Sequence, residues 1–201
     1  MLEGRSTELA RIMNTAAENA ASESTVIEST RQWLEQVVIG LNLCPFARLP
    51  WVQGRVHIEV TSAYNTEQLA EALVEALLAL DNAPPEERET TLLVHPQVLG
   101  DFGEYNDFLD TADALLQALG LDGVFQVASF HPDYCFAEAV DDDPANCSNR
   151  SPWPTLHLIR EASIEAAVSG ELSSERIYQR NIAVLQQLGV NGWRKLMPSS
   201  D

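Results

Sequence analysis

Cysteine is scarce: Cys44, Cys135 and Cys147 are the three in 201 residues. So odd and sparse a set cannot build a disulfide framework. It points to free thiols in a reducing compartment, and a cytoplasmic location is expected. Basic residues are scarce as well, 12 Lys and Arg against 30 Asp and Glu, for a formal net charge of −18. A chain this acidic repels phosphate backbones and anionic headgroups, so neither nucleic acid nor a membrane surface is expected as a partner. Long apolar runs are missing too. No stretch reaches the roughly 18 residues of a membrane-spanning helix, and the first residues lack the apolar centre of a secretory signal. What is present is an ordinary core-forming share of hydrophobic residues, 45%, in a length that suits one domain.

Residues 1–24 are polar, alanine-rich and weakly periodic, and read as a flexible N-terminal tail. A single α/β domain is expected over residues 25–198. Its first helix starts near Thr25, where Val26, Thr30, Trp33, Val37 and Leu41 share a helical period, and Pro45 ends it. RVHIEV alternates as a half-exposed strand around Val56, Ile58 and Val60. Asn65 and Gln68 resemble a capping box ahead of a helix built on Leu69, Leu73, Leu77 and Leu80. TTLLVHP is a buried strand; Phe102 to Leu119 form a helix with Gly120 at its end; VFQVASF is a second buried strand. Alternating strands and helices predict parallel pairing, so the expected fold is α/β, a small, mostly parallel three-stranded sheet flanked by five or six helices. Helices are expected near residues 155–168 and 173–188, after a long aperiodic loop from Pro132.

In an open parallel sheet, ligands bind beyond the C-terminal strand ends. Two strands end there in His-Pro, at His95 and His131. Each histidine is either a candidate acid or base or simply a polar residue leaving the sheet, and neighbouring strands, about 4.8 Å apart, would bring the two imidazoles close. Cys44 in LNLCPFA is a candidate nucleophile or a small buried wall; its place after a helix C-terminus gives its thiolate no help. A zinc set of Cys44, His131, Cys135 and Cys147 lacks a paired CxxC, and Asp141, Asp142 and Asp143 offer harder ligands, so no metal is assigned.

SNRSPWPTLHLIRE, residues 148–161, concentrates polar chemistry in a chain poor in cations. Pro152 and Pro154 hold it extended, Thr155 is placed to cap a helix, and His157, Arg160 and Glu161 at i, i+3 and i+4 would share a helical face. With Asn149 and Arg150 just ahead, a helix N-terminus and two guanidinium forks make a candidate anion site.

Taken together, LNLCPFA, FHPDY followed by Phe136, and NRSPWPTLHLIREASI resemble the bacterial domain-of-unknown-function 1415 family over nearly the whole chain. The matching positions are Cys44, Pro45 and Phe46; His131, Pro132 and Tyr134; and Asn149, Arg150, Ser151, Pro152, His157, Arg160 and Glu161. Cys135, Cys147 and His95 fall outside the matching motifs. The resemblance implies a soluble bacterial protein of this size and carries over no activity, substrate or cofactor.

The residues favour an enzyme that binds a small anionic metabolite through an Arg/His cluster. Arg150 and Arg160 would hold the anion, with Asn149 beside them. His131 would be general acid or base, Tyr134 a proton donor or hydrogen-bond partner, and Cys44 a nucleophile or pocket wall. His157 and Glu161 would orient the arginines or relay a proton. The alternative is a non-catalytic ligand-sensing or partner-binding module, in which the arginines pair internally and His131 is a satisfied structural histidine. No cofactor and no particular protein partner follow from these residues.

Overall fold

The computed structural model describes residues 21–137, 139–168 and 173–198. Up to residue 20, the expected N-terminal tail lies outside them. Helix α1 spans Glu23–Trp33 and continues as a π-helical segment, Leu34–Ile39. Its start lies slightly ahead of the position expected from the apolar period, because the Ser22 side chain accepts a hydrogen bond from the Thr25 amide at 3.2 Å. The elements that follow are α2 (Arg48–Val52), β1 (Val56–Val60), α3 (Thr66–Asn82), β2 (Thr90–Val94), α4 (Phe102–Ala118) and β3 (Phe125–Phe130). After a 3-10 turn at Pro144–Ser148 come β4 (Thr155–Arg160), α5 (Glu161–Val168) and α6 (Ser174–Arg194).

The local signals read from the sequence are in place. Asn65 accepts from the Gln68 amide at 2.9 Å, while the Gln68 side chain reaches back to the Tyr64 amide instead of the Asn65 amide. Gly120 ends α4 with φ 69°, the left-handed conformation that makes glycine the favoured residue there.

The sheet corrects two expectations. It has four strands, not three, and it is mixed, not mostly parallel: the order is β1-β2-β4-β3. β1 and β2 pair in parallel, whereas β4 runs antiparallel to both β2 and β3. The extra strand is the segment read as a helix from residue 155. Leu156 and Leu158 are fully buried on one face and His157 lies on the other, so the run has the two-sided apolar character of a central strand. Its helical spacing was real but short. Two edges awaiting partners, and the extended start set by Pro152 and Pro154, outweigh that preference. The helix that was expected here begins only at Glu161.

Helices cover both faces. On one, Leu93, Leu156, Leu158 and Phe125 pack against Leu69, Leu73 and Leu77 of α3 and Tyr105 and Phe108 of α4. On the other, Leu92, Val56 and Phe130 meet Trp33, Leu34 and Val37 of α1 and Leu185 of α6. Among the described residues no helix is long and apolar enough to cross a membrane.

Candidate functional site

The second face is incompletely filled. Between the sheet and α1 lies a cavity of about 230 Å³. Thr90, Leu92, Ala128 and His157 form its floor; Phe46, Trp51 and Phe130 form aromatic walls, with the buried Trp33 behind them; Cys44 stands at its edge. The small side chain of Ala128 leaves the space open directly beside His157, its cross-strand partner. The roof is the π-helical end of α1, contributing Leu34, Val38 and Ile39. There the wider turn displaces the ladder that an α-helix would continue. A second cavity of about 390 Å³ adjoins the first: Val38, Cys44, Phe46, Phe130 and Ile164 border both. Its own wall adds Ser148, Asn149, Tyr178 and Asn181.

His157 is the imidazole of this floor. Its Nε2 lies 2.7 Å from the Thr90 hydroxyl, which donates to the Leu158 carbonyl at 2.5 Å. The side chain is packed deep in the sheet face, and burial lowers its pKa to about 4, so it is neutral at physiological pH. The carboxylate at the rim, Glu89, is held by Arg55 at 2.6 Å and by the Ser163 hydroxyl. Cys44 is half-buried; burial pushes its thiol pKa up, opposed by hydrogen bonds at the Phe46 and Ala47 backbone and by the charge of Arg180. It is therefore a thiol, not a thiolate, at neutral pH.

The remaining candidates, Asn149 apart, do not border these two cavities. His131 is fully buried at the end of β3. Its Nε2 donates to the Leu99 carbonyl at 3.1 Å and its Nδ1 accepts from the Asp133 amide at 3.0 Å, so both ring nitrogens are occupied. Tyr134 packs between the rings of Phe102 and Phe136, each at 5.1 Å. Arg150 donates through Nε to the Tyr134 carbonyl at 3.1 Å and through Nη2 to the Asp141 carbonyl at 2.8 Å, tying down the loop after β3. Asn149 joins that loop to the sheet, donating to the Ser129 carbonyl at 3.1 Å. Arg160 donates to the Leu80 and Ala83 carbonyls, both at 2.7 Å, and lies 5.3 Å over the Phe125 ring. Glu161 opens α5, where a negative charge suits the helix N-terminus.

The expected single hollow thus divides. Cys44, Asn149 and His157 gather around the two adjoining cavities. His131 leaves the sheet beyond Phe130, which pairs with Thr155, whereas Arg160 pairs with Phe125 at the other end of the same ladder. Five residues of strand, about 17 Å, separate those ends. His157 and Arg160, placed on one face by a helical reading, lie on opposite faces of a strand. His95 and His131 are not on neighbouring strands either, since β4 lies between β2 and β3; both imidazoles pack against the Tyr105 ring, at 5.7 and 5.1 Å. Among the described residues no group of three His, Cys, Asp or Glu side chains is placed to hold a metal ion.

Sequence reasoning missed Thr90, Ala128, Phe130, Trp33 and Trp51 as site residues. The usable signal was small: Thr90 and Ala128 are the less bulky positions on strands otherwise rich in Leu, Val and Phe.

Fold and cavity define a class: an α/β domain whose mixed sheet carries helices on both faces and an aromatic-walled hollow on one. Within it the chain belongs to the DUF1415 family, whose model, described as a protein of unknown function, matches residues 25–195. Neither a curated protein nor a solved structure matches the chain.

Proposed function

We propose that the protein binds a small molecule in the cavity above His157, the ligand's apolar body lying against Phe46, Trp51 and Phe130. The observation that carries this reading is the unfilled volume itself. Protein interiors pack to near-crystalline density, and this partly open hollow of about 230 Å³ leaves its apolar lining without the contacts that a ligand could make. An apolar cavity of about 150 Å³ is already enough to take up benzene. The two arginines on which an anionic ligand rested are engaged with main-chain carbonyls, so the geometry favours a neutral ligand. It also favours ligand binding without catalysis, because Cys44 is a suppressed thiol and both nitrogens of His131 are committed.

The test is a titration of small aromatic compounds followed by ligand-observed NMR, with Ala128→Leu as the control. Leucine at 128 fills the floor beside His157. Binding to the natural protein and its loss in the folded Ala128→Leu variant support the reading. Equal binding by both proteins, or no binding by the natural one, overturns it.

A further inference from the structure

The hydrogen bonds beneath the cavity fix which ring nitrogen of His157 carries the proton. A hydroxyl has one proton, and that of Thr90 points at the Leu158 carbonyl, 2.5 Å away, which can only accept. The Thr90 oxygen is then the acceptor for Nε2 of His157 at 2.7 Å, so Nε2 bears the hydrogen. Nδ1 keeps its lone pair, and among the described residues no protein group donates to it. The relay runs diagonally across the β2–β4 pair, since Thr90 pairs with Ile159, two residues beyond His157.

This inference rests on the cavity reading and adds the ligand's chemistry. We propose that the cavity takes a neutral aromatic molecule bearing an O–H or N–H donor, of the phenol or indole kind, and that Nδ1 of His157 accepts that donor. Thr90 is the positioning residue: it does not touch the ligand's donor but holds the imidazole in the accepting tautomer. Aromatic walls at Phe46, Trp51 and Phe130 suit a planar ring. A volume of about 230 Å³ suits one or two fused rings, judged against the benzene-sized precedent. A site that offers only a lone pair penalises an isostere lacking the donor, because burial leaves that lone pair unpaired.

Indole and benzofuran make the comparison, having the same shape but differing in the N–H. Indole is expected to bind about tenfold more tightly than benzofuran. In Thr90→Val the imidazole is free to change tautomer, and the preference, read as the ratio of the two affinities in the same protein, falls to within about twofold. Thr90→Ser keeps the hydroxyl and restores the preference. Nitrogen NMR of the free protein reads the tautomer without any ligand: His157 is expected protonated at Nε2 in the natural protein and in Thr90→Ser, and mixed in Thr90→Val. Equal affinity for indole and benzofuran, or a His157 protonated at Nδ1, overturns the donor inference and leaves the cavity reading standing. Failure of both compounds to bind overturns the two together.

Discussion

Nε2 of His131 donates a 3.1 Å hydrogen bond to the carbonyl oxygen of Leu99, a residue held at φ 56°. Left-handed backbone at a leucine costs about 1–2 kcal/mol, so something must hold it. The His131 ring does so at the Leu99 carbonyl, and Nδ1 of His95 donates to the adjacent Val98 carbonyl at 3.0 Å. The loop between β2 and α4 is therefore braced by the two histidines that end the strands. His131→Ala removes the Leu99 and Asp133 partners at once and is expected to cost about 2–4 kcal/mol, read by urea unfolding. A loss below about 0.5 kcal/mol would show that the ring is not a brace.

Arg160 does for α3 what a C-cap residue does for other helices. Its Nη2 reaches the carbonyls of Leu80 and Ala83, the last turn and cap of that helix, and also Arg88 at 3.2 Å. Arg160→Met keeps the stem over Phe125 and leaves those carbonyls without their donor. The variant should lose about 1–3 kcal/mol, with faster hydrogen exchange confined to the end of α3. A uniform increase across the whole sheet would instead mean that Arg160 acts through the core.

How far the sequence could be read depends on the range of each interaction. α3 and α4 were legible because their apolar period, Leu69 to Leu80 and Tyr105 to Leu116, and their caps at Asn65 and Gly120 are decided within a few residues. β4 was not, because LHLIR carries enough helical spacing to satisfy a local template, and its strand character comes from pairing with Leu92 and Ala128. The same cause hid the site. Three motifs marked chemically able residues, yet only Cys44 and His157 share a cavity, with Asn149 in the wall of the adjoining one, while His131, Tyr134 and Arg150 join Asn149 through main-chain hydrogen bonds; strand register and a π-helical turn set this arrangement, and no spacing rule encodes them. The family resemblance was legible because it needed motif order alone.

Acid should weaken the fold through its histidines. His95 is fully buried with Nε2 unpaired, and burial lowers its pKa to about 4; His131 and His157 shift in the same direction. The unfolded chain takes up a proton near the ordinary value of about 6.5, whereas folded His95 refuses it until about 4. His95 therefore adds its full contribution above pH 6.5 and loses it progressively as pH falls toward 4, by about 1.4 kcal/mol per unit. From pH 6.5 to 5 the loss should be about 2 kcal/mol from His95 alone. His95→Gln should flatten that part of the curve. Denaturant midpoints across this range provide the check, and a stability that rises with acid would reverse the assignment.

Cys44 gives a chemical readout of the cavity it borders. Burial raises its pKa, and the charge of Arg180 only partly offsets this, so little thiolate exists at neutral pH. Since the thiolate is the reacting form, iodoacetamide should label Cys44 at least about tenfold more slowly than a free cysteine. Because the thiol lies where the two cavities meet, bound indole should slow that labelling further. Labelling of Cys147, which lines neither cavity and is buried among α1 and α6 side chains, should not respond to indole. Peptide mapping by mass spectrometry separates the thiols. A Cys44 that reacts faster than free cysteine would mark it as an activated nucleophile and return the catalytic reading to the front; an indole effect equal at Cys44 and Cys147 would mean global stabilisation in place of shielding.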